Sequence, residues 1–405
     1  MAARSATFKG VDSFRHPSVG SEKDLVSRAE ALIPVLRSRA EETEAGRTLT
    51  AETRRDLMQS GVHRLFQPKR FGGAEGSLRA GVDILAAIGQ GCSATAWVLV
   101  QNLTHNWMVA EWPIEAQETV WGEEPAVLLS GILIPGVGKA RRVEGGYRLS
   151  GRWPFLSGVN VCDWALFTAF TDGPNGEKED RHFLLPRSDF EILDTWRSVG
   201  LRGTCSNDAE VGDAFVPEYM TTTVESLKGA VPPPGADSLS LYCPRYAMFG
   251  VYIGAAALGA AEAAVAAYTD QAKKRVARSS ATAVASFMTQ HIKISEALAC
   301  LRAARLMLYG VCDLATEILA SGRLPNDEER TRFRSEAAFA GRLFTQAVNI
   351  VWDAGGGTVI YDQNPLSQAF RDASTAARHL TQNWDINAAA HGRVVIGLPI
   401  DNPSL

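Results

Sequence analysis

The sequence lacks several features that would assign it at once to a common class of protein. Its six cysteines form no Cys-x-x-Cys pair, and it has no block of like charges, no internal repeat and no low-complexity segment. The net charge of −4 gives no sign of a nucleic-acid groove or a polybasic membrane patch. The opening MAARSATFKG has no apolar core of the kind found in secretory signals. We therefore expect reduced thiols and a cytoplasmic protein that binds neither nucleic acid nor membrane.

A dinucleotide-binding fingerprint is also missing. Its glycine-rich turn would join a strand to a helix, whereas the one glycine cluster, Gly355, Gly356 and Gly357, follows helical sequence. We therefore expect no reaction with NAD(P)H by the chain alone. The uncharged stretch 247–261 has too few residues to span a bilayer, and its alanines and glycines predict a buried bundle helix.

The hydrophobic pattern divides the chain into three parts. Apolar residues at helical spacing over 22–45 and helical composition over 77–121 predict an N-terminal helical domain, residues 1–125. Short β-branched or aromatic runs, separated by Gly, Pro, Asn and Asp, predict a mainly antiparallel β domain over 126–236. Helical sequence returns over 237–405. The predicted class is α+β, with a β domain between two helical ones.

Four motifs, in this order along the chain, carry a family resemblance: FGGAEG at 71–76, GRWPFLSGVNVCDW at 151–164, LRGTCSNDAEVGDAFVP at 201–217 and DAGGGTVIYDQNPLSQAFRDAS at 353–374. Together they resemble the acyl-CoA dehydrogenase superfamily over nearly the whole chain. The resemblance implies an N-terminal helical domain, a central antiparallel β-barrel and a C-terminal four-helix bundle. It also implies a flavin between the barrel and the bundle.

The carboxylate base of acyl-CoA dehydrogenases is absent from its usual place after the Arg-Asp pair. No glutamate follows Glu336, and His379 stands where the family sets its base. Removal of a proton α to a thioester needs a well-placed base, so this chain is not equipped for it. The pattern is similar to the two-component flavin monooxygenases, which obtain reduced flavin from a separate NAD(P)H:flavin reductase. That branch includes the oxygenase component of p-hydroxyphenylacetate hydroxylase, a secosteroid phenol hydroxylase and dibenzothiophene monooxygenase.

The branch resemblance implies roles for particular residues. His379 would support a C4a-hydroperoxide formed from reduced flavin and O₂, and His105 would polarise the O–H or N–H of the substrate. Ser130 would lie near the substrate, and Ser157 would contact the flavin ring near N5. The other residues expected at the flavin are Trp153 and Phe155 beside the ring, Arg202, Thr204 and Ser206 in one loop, and Arg275, Gly355, Gly356 and Gly357 at the phosphates.

Some alternatives stay open at this point. His391 competes with His379, Trp153 and Phe155 suit a barrel core equally well, and Arg275 also fits a solvated basic cluster. Cys205 stands where relatives commonly have glycine. Four tryptophans near the expected pocket favour a flat apolar substrate over a sugar: Trp97, Trp107, Trp112 and Trp153.

The preferred interpretation is a monooxygenase that uses reduced FMN or FAD and O₂ on a phenolic or indole-like aromatic molecule. Flavin phosphates in this superfamily are held largely by the neighbouring subunit, which would make an oligomer obligatory for cofactor binding. We expect a homotetramer, with the bundle helix 247–268 and the glycine-rich segment 355–357 as packing surfaces. The alternatives are an N-hydroxylating or nitroso-forming relative acting on an amine, a flavin oxidase or atypical dehydrogenase, and a non-enzymatic member of the fold.

Overall fold

The computed structural model describes residues 16–173, 177–276 and 282–402. The opening decapeptide, from which we predict no secretory signal, lies outside these residues. The first helices are α1 (Glu22–Ser38), α2 (Ala40–Gly46), α3 (Ala51–Ser60), α4 (Leu78–Gly91), α5 (Ser93–Val109) and α6 (Ile114–Trp121). Ser21, Thr50 and Ser77 cap α1, α3 and α4 by accepting a backbone N–H. The helix predicted over 22–45 is interrupted at Arg39, whose guanidinium pairs with Asp56 at 2.6 Å.

A curved mixed sheet follows. Its strands are β1 (Leu129–Gly131), β2 (Gly138–Val143), β3 (Gly146–Leu156), β4 (Trp164–Asp172), β5 (Lys178–Pro186), β6 (Glu191–Leu193), β7 (Asn207–Pro217) and β8 (Thr221–Thr223). The hydrogen-bonded order is β6-β7-β3-β2-β4-β5-β8, with β1 beside β4. β1 and β2 run parallel to β4, and the other described pairs are antiparallel, in agreement with the mainly antiparallel domain predicted from the sequence. The β2–β3 hairpin lies between β1 and β4 in the chain, so β4 can return parallel to β1.

The two faces of this sheet pack differently. Tyr147, Trp153, Phe167 and Phe183 are buried together on one face. Residues alternate along a strand, so Leu166 and His182 lie on the opposite face, toward the helices. The N-terminal and C-terminal helices therefore meet the sheet on that second face.

The C-terminal helices are α7 (Arg245–Lys274), α8 (Met288–Ala320), α9 (Asp327–Ala354), α10 (Pro365–Ala376) and α11 (Trp384–Val395). α7 is long and apolar enough to cross a membrane, but 83% of its apolar window is buried inside the protein. Small residues permit this packing. A Cβ on Gly259 would lie 2.0 Å from the Ala86 carbonyl of α4, and one on Gly89 would lie 2.5 Å from the Ala256 carbonyl. The buried bundle helix predicted at 247–261 is therefore the N-terminal half of α7.

The fold class is the one predicted: helical domain, β domain and helical bundle in chain order. One apolar core joins α1, α4 and α5 to the C-terminal bundle, and a second fills the sheet and the space under α6. The candidate site lies where these cores meet.

Candidate active site

Ser157 leaves the sheet in a tight turn directed at α5. Phe155 has φ +64°, which is uncommon outside glycine, and the register of β3 against β7 shifts between Trp153 and Leu156. Gly158 follows with φ +82°, and a Cβ there would lie 2.9 Å from Val98 of α5. This explains the Ser-Gly pair at the end of the strand, because only glycine permits the close approach.

Three hydroxyls form a chain beside this turn. Ser157 Oγ lies 2.7 Å from Ser206 Oγ, which lies 2.7 Å from Thr204 Oγ1. Thr204 Oγ1 donates to the Leu201 carbonyl at 2.8 Å. At the other end the indole N–H of Trp97 donates to Ser157 Oγ at 3.1 Å. All three hydroxyls are buried, so each needs these partners.

Trp97 lies between these three hydroxyls and His379. Its ring centroid lies 5.7 Å from the imidazole centroid, in an edge-to-face arrangement at 77°. Among the predicted candidates, Ser157, Thr204, Ser206 and His379 are therefore brought together, from the β domain and from the C-terminal part of the chain.

The tautomer of His379 is set by its neighbours. The backbone N–H of Thr381 donates to Nδ1 at 3.2 Å, and Thr381 Oγ1 lies 2.9 Å from the same nitrogen. A backbone N–H can only donate, so Nδ1 is unprotonated and the neutral ring carries its proton on Nε2. Burial and then Arg334 lower the pKa of His379 to about 4. No described residue takes the Nε2 proton, so His379 presents a free neutral donor.

His391 lies elsewhere. Its Nδ1 is 3.3 Å from Thr331 Oγ1, between α11 and α9. Of the two competing histidines, His379 is the one at the Trp97 edge.

Asp372 of the Arg-Asp pair holds the hydroxyl-bearing loop in place. Its Oδ1 accepts the Leu201 N–H at 2.6 Å, and its other oxygen accepts the hydroxyl of Ser93 at the start of α5. Burial raises the pKa of Asp372 to about 6, while the Ser93 and Leu201 hydrogen bonds oppose that rise. Arg371 points away and pairs with Glu44. The Arg-Asp pair therefore ties three parts of the chain together.

A second polar group lies between the sheet and the helices. His105 of α5 is fully buried, its Nε2 faces Gly131, and a Cβ on that glycine would lie 2.8 Å from it. Neither ring nitrogen makes a well-aligned hydrogen bond to a described residue. Burial lowers the pKa of His105 to about 4, against a smaller opposing effect of the Gln101 carbonyl. A buried imidazole without a well-aligned partner among the described residues is able to bind a polar group of a ligand.

Sequence reasoning gave no role to His182, which belongs to this group. Its Nε2 lies 2.9 Å from the Tyr246 hydroxyl of α7, and its Nδ1 has no partner among the described residues. Burial and then His105 lower the pKa of His182 to about 3. The only available signal was a histidine on the helix-facing side of a predicted strand, which does not identify a partner.

Other predicted residues lie in different surroundings. Trp153 is fully buried in the sheet core, where its N–H donates to the Thr168 carbonyl at 2.8 Å and its ring packs on Phe167. Phe155 is 58% exposed, with its ring 6.3 Å from that of Trp196. Trp153 is therefore a residue of the sheet core, and Phe155 is the one of the two whose aromatic face is exposed.

The remaining candidates near the loop are structural in their contacts. Ser130 Oγ donates to the Ser157 carbonyl at 2.8 Å, which supports the turn directly. Arg202 is half-buried in the loop before Thr204. Cys205 is buried with φ +43°, a left-handed conformation that favours glycine, the residue that the family resemblance implies there. Trp107 packs on Phe66 in the helical core, and Trp112 is buried near α6.

Arg275 and the glycine cluster meet at the far end of α7. Arg275 Nη1 donates to the Gly355 carbonyl at 2.6 Å, and a Cβ on Gly356 would lie 2.5 Å from its other nitrogen. Gly357 follows in the same turn. The Gly250 carbonyl of α7 accepts from Gln382 of the His379 segment, and Ala260 lines a gap beside Trp97.

This arrangement separates the two halves of the expected flavin site. Arg275 is 15 residues beyond Ala260 along α7, which is about 22 Å at 1.5 Å per residue. That distance exceeds the reach of a flavin from its ring to its phosphate.

Comparison with known proteins places these features in context. The family model described as "Acyl-CoA dehydrogenase, C-terminal domain" matches residues 251–384. The oxygenase component of an FADH(2)-dependent resorcinol hydroxylase from Rhizobium sp. (strain MTP-10005) is 32% identical over 388 residues, 92% of this chain and 94% of that protein. The p-hydroxyphenylacetate 3-hydroxylase oxygenase component of Acinetobacter baumannii is 27% identical, over 93% of this chain and 90% of that one. XiaF from Streptomyces sp., in complex with FADH2 and glycerol, has a TM-score of 0.88 at 28% identity, covering 95% and 98%.

Proposed function

Because this chain belongs to the flavin-dependent oxygenase components of the acyl-CoA dehydrogenase superfamily, we propose that it oxygenates a phenolic or indole-like molecule through a flavin C4a-hydroperoxide. The chain is an oxidoreductase of the monooxygenase class, and its cofactor is reduced flavin. The observation that supports the proposal most directly is His379, a neutral Nε2–H donor in place of a carboxylate base.

The residues present fit a flavin ring. Ser157 keeps an unoccupied lone pair beside the indole of Trp97, and His379 keeps an unpartnered N–H on the other side of that indole. Phe155 offers an exposed aromatic face at the same turn. A flat, partly polar ring with donors and acceptors along one edge would satisfy all of these groups. In this proposal Ser157 lies at flavin N5.

The bound reduced flavin would activate O₂, placing one oxygen atom on the substrate and releasing the other as water, with two electrons from the flavin. His379 would donate its Nε2–H to the oxygen atoms and remain neutral, because its lowered pKa keeps it uncharged. Apolar neighbours of Trp97 on α7 would keep water from this side.

The buried histidines would hold the substrate. The unprotonated nitrogen of a neutral His105 would accept the O–H of a phenol or the N–H of an indole and draw off electron density. His182, which contacts the Tyr246 hydroxyl at 2.9 Å, would add a second polar group. Apolar residues of the sheet and of α5 would pack against a flat ring there.

A separate NAD(P)H:flavin reductase would supply the reduced flavin, as the oxygenase-component names of the relatives imply. We also propose a homotetramer in which Arg275, Gly355, Gly356 and Gly357 of one subunit hold the flavin phosphate of a neighbour. The separation of about 22 Å along α7 supports this arrangement.

Rapid mixing of the protein and reduced flavin with oxygenated buffer, with and without a phenol such as resorcinol, tests the function. We expect a transient near-ultraviolet band of the C4a-hydroperoxide and, with substrate, an oxygenated product. Flavin oxidation with no transient and all oxygen recovered as peroxide would contradict the proposal. Comparable NADH oxidation by the isolated chain would contradict the need for a reductase.

A further inference from the structure

The hydroxyl chain beside Ser157 determines the direction in which its proton points. We propose that Thr204 and Ser206 are positioning residues that make Ser157 a hydrogen-bond acceptor and so favour reduced over oxidised flavin. This inference rests on the proposed placement of the flavin at Ser157.

The order of the protons follows from the fixed partners. A carbonyl can only accept, so the Thr204 hydroxyl donates its proton to the Leu201 carbonyl. At the 2.7 Å contact between Thr204 and Ser206, the proton must then come from Ser206. Ser157 in turn donates to Ser206 at 2.7 Å and accepts from the Trp97 N–H. The group that Ser157 has left for a ligand is a lone pair.

Flavin chemistry makes this polarity selective. N5 of reduced flavin carries a hydrogen and donates, whereas N5 of oxidised flavin has only a lone pair and accepts. Reduced flavin therefore completes the chain with every proton in place. Two lone pairs face each other when oxidised flavin meets the same arrangement.

The donor and acceptor order of the three hydroxyls can be reversed only if one hydrogen bond is lost. If Thr204 donates to Ser206, Ser206 to Ser157 and Ser157 to N5, the bond from Thr204 to the Leu201 carbonyl is lost. That carbonyl still accepts a hydrogen bond from the indole N–H of Trp196 at 2.9 Å, so only one neutral hydrogen bond is lost. Such a bond corresponds to a preference of about twofold to tenfold for reduced flavin.

Two substitutions test this effect, and two others control for packing. Thr204→Val keeps the shape but removes the acceptor of the Ser206 proton, so Ser206 should donate to Ser157, which then donates outward. Ser206→Ala leaves the Ser157 proton without a fixed acceptor. Thr204→Ser retains the hydroxyl. Ser198→Ala removes a hydroxyl that donates to the Gly200 carbonyl in the same loop, outside the chain.

The measurement is the dissociation constant of each variant for oxidised and for reduced flavin, by anaerobic titration, with the midpoint potential of the bound flavin. We expect Thr204→Val to lower the ratio of the dissociation constant for oxidised flavin to that for reduced flavin about tenfold. Oxidised flavin is then bound relatively more tightly, and the two-electron midpoint potential falls by about 30 mV. Ser206→Ala should give a smaller shift, and Thr204→Ser and Ser198→Ala should keep the wild-type ratio.

Equal losses of affinity for both flavin forms in Thr204→Val and Ser206→Ala, with an unchanged potential, would overturn the inference and leave the proposed function intact. If the wild-type chain bound neither form, the proposed function itself would fail. The ratio distinguishes these cases because a purely structural role would change both affinities together.

Discussion

The backbone N–H of Thr381 donates to Nδ1 of His379 at 3.2 Å, and this contact fixes where the imidazole carries its proton. The Thr381 hydroxyl lies 2.9 Å from the same atom. A histidine that follows the Arg-Asp pair is thereby converted from a possible base into a neutral donor. The donor role of His379 therefore depends on Thr381 as much as on the imidazole ring.

We predict that His379→Ala leaves the fold and flavin binding largely intact but uncouples the reaction. Loss of one hydrogen bond to the oxygenated flavin should cost about 1–3 kcal/mol, or roughly one to two decades in its lifetime. Single-turnover stopped-flow, with peroxide and product quantified, measures this. Thr381→Val is the matched control, because the backbone N–H and the tautomer remain. Normal coupling in His379→Ala together with uncoupling in His391→Ala would reassign the role to His391.

His105→Ala should behave differently. The variant should form the oxygenated flavin at the normal rate but transfer oxygen to the substrate more slowly, because the wild-type imidazole is buried with no well-aligned partner and would polarise the substrate. The same stopped-flow experiment, with substrate added after the transient has formed, isolates that step. Slowed formation of the transient, with normal transfer, would contradict the assignment.

Stability should depend on the buried histidines below neutral pH. Burial lowers the pKa of His105 to about 4 and that of His182 to about 3, from about 6.5 in the unfolded chain. Between those values the unfolded chain binds more protons, so their contribution is complete above about pH 6.5 and is lost as pH falls. His182→Gln should reduce the slope of unfolding free energy against pH by up to about 1.4 kcal/mol per unit. Urea unfolding from pH 7.5 to 5 measures it. His291→Gln, at an exposed position, is the control, and equal slopes in both variants would contradict the prediction.

Asp372 allows a matched pair of substitutions. Asp372→Ala should destabilise the chain by about 1–3 kcal/mol and loosen flavin binding, because the Leu201 N–H and the Ser93 hydroxyl lose their buried acceptor. Asp372→Asn keeps an oxygen for Leu201 and an amide for Ser93. The pKa of Asp372 is raised from 3.8 to about 6, so the folded chain holds this proton more tightly than the unfolded chain. The free energy of unfolding that this proton contributes is complete below pH 3.8 and is lost as pH rises to about 6. The asparagine variant should lack this decline in urea unfolding. Equal destabilisation by both substitutions above pH 6 would be the contrary result.

Arg275→Ala should weaken flavin binding more than it lowers stability, and the defect should be rescued by a different subunit. Coexpressed Arg275→Ala and His379→Ala subunits should form mixed oligomers with some complete sites, each taking its ring side from the first subunit and its arginine from the second. Coupled turnover recovered above that of either variant, together with light scattering, checks this. Lys274→Ala, an exposed neighbouring charge, is the control. Tight flavin binding by a monomer would rule out the shared site.

The three-part order of helices, β domain and helices can be read from the sequence alone, because the period of its apolar residues changes near 126 and again near 240. The sequence also shows the chemical types available: the motif hydroxyls, the histidine in place of a glutamate, and the small residues of α7. Close helix packing at Gly259 follows directly from side-chain size. These are local properties, and local spacing records them.

Which of these residues come into contact depends on the folded arrangement. Trp97 and Ser157 are 60 residues apart, and Leu201 and Asp372 are 171 apart. Spacing carries no information about such contacts, since they depend on how the sheet and bundle dock. The same holds for Trp153 and Phe155: alternation puts both on the same face of an ideal strand, but the irregularity at Phe155, with its positive φ, turns that side chain outward. The tautomer of His379 and the proton order at Ser157 were decided in this way too, because a hydroxyl or imidazole takes its polarity from partners that folding brings to it.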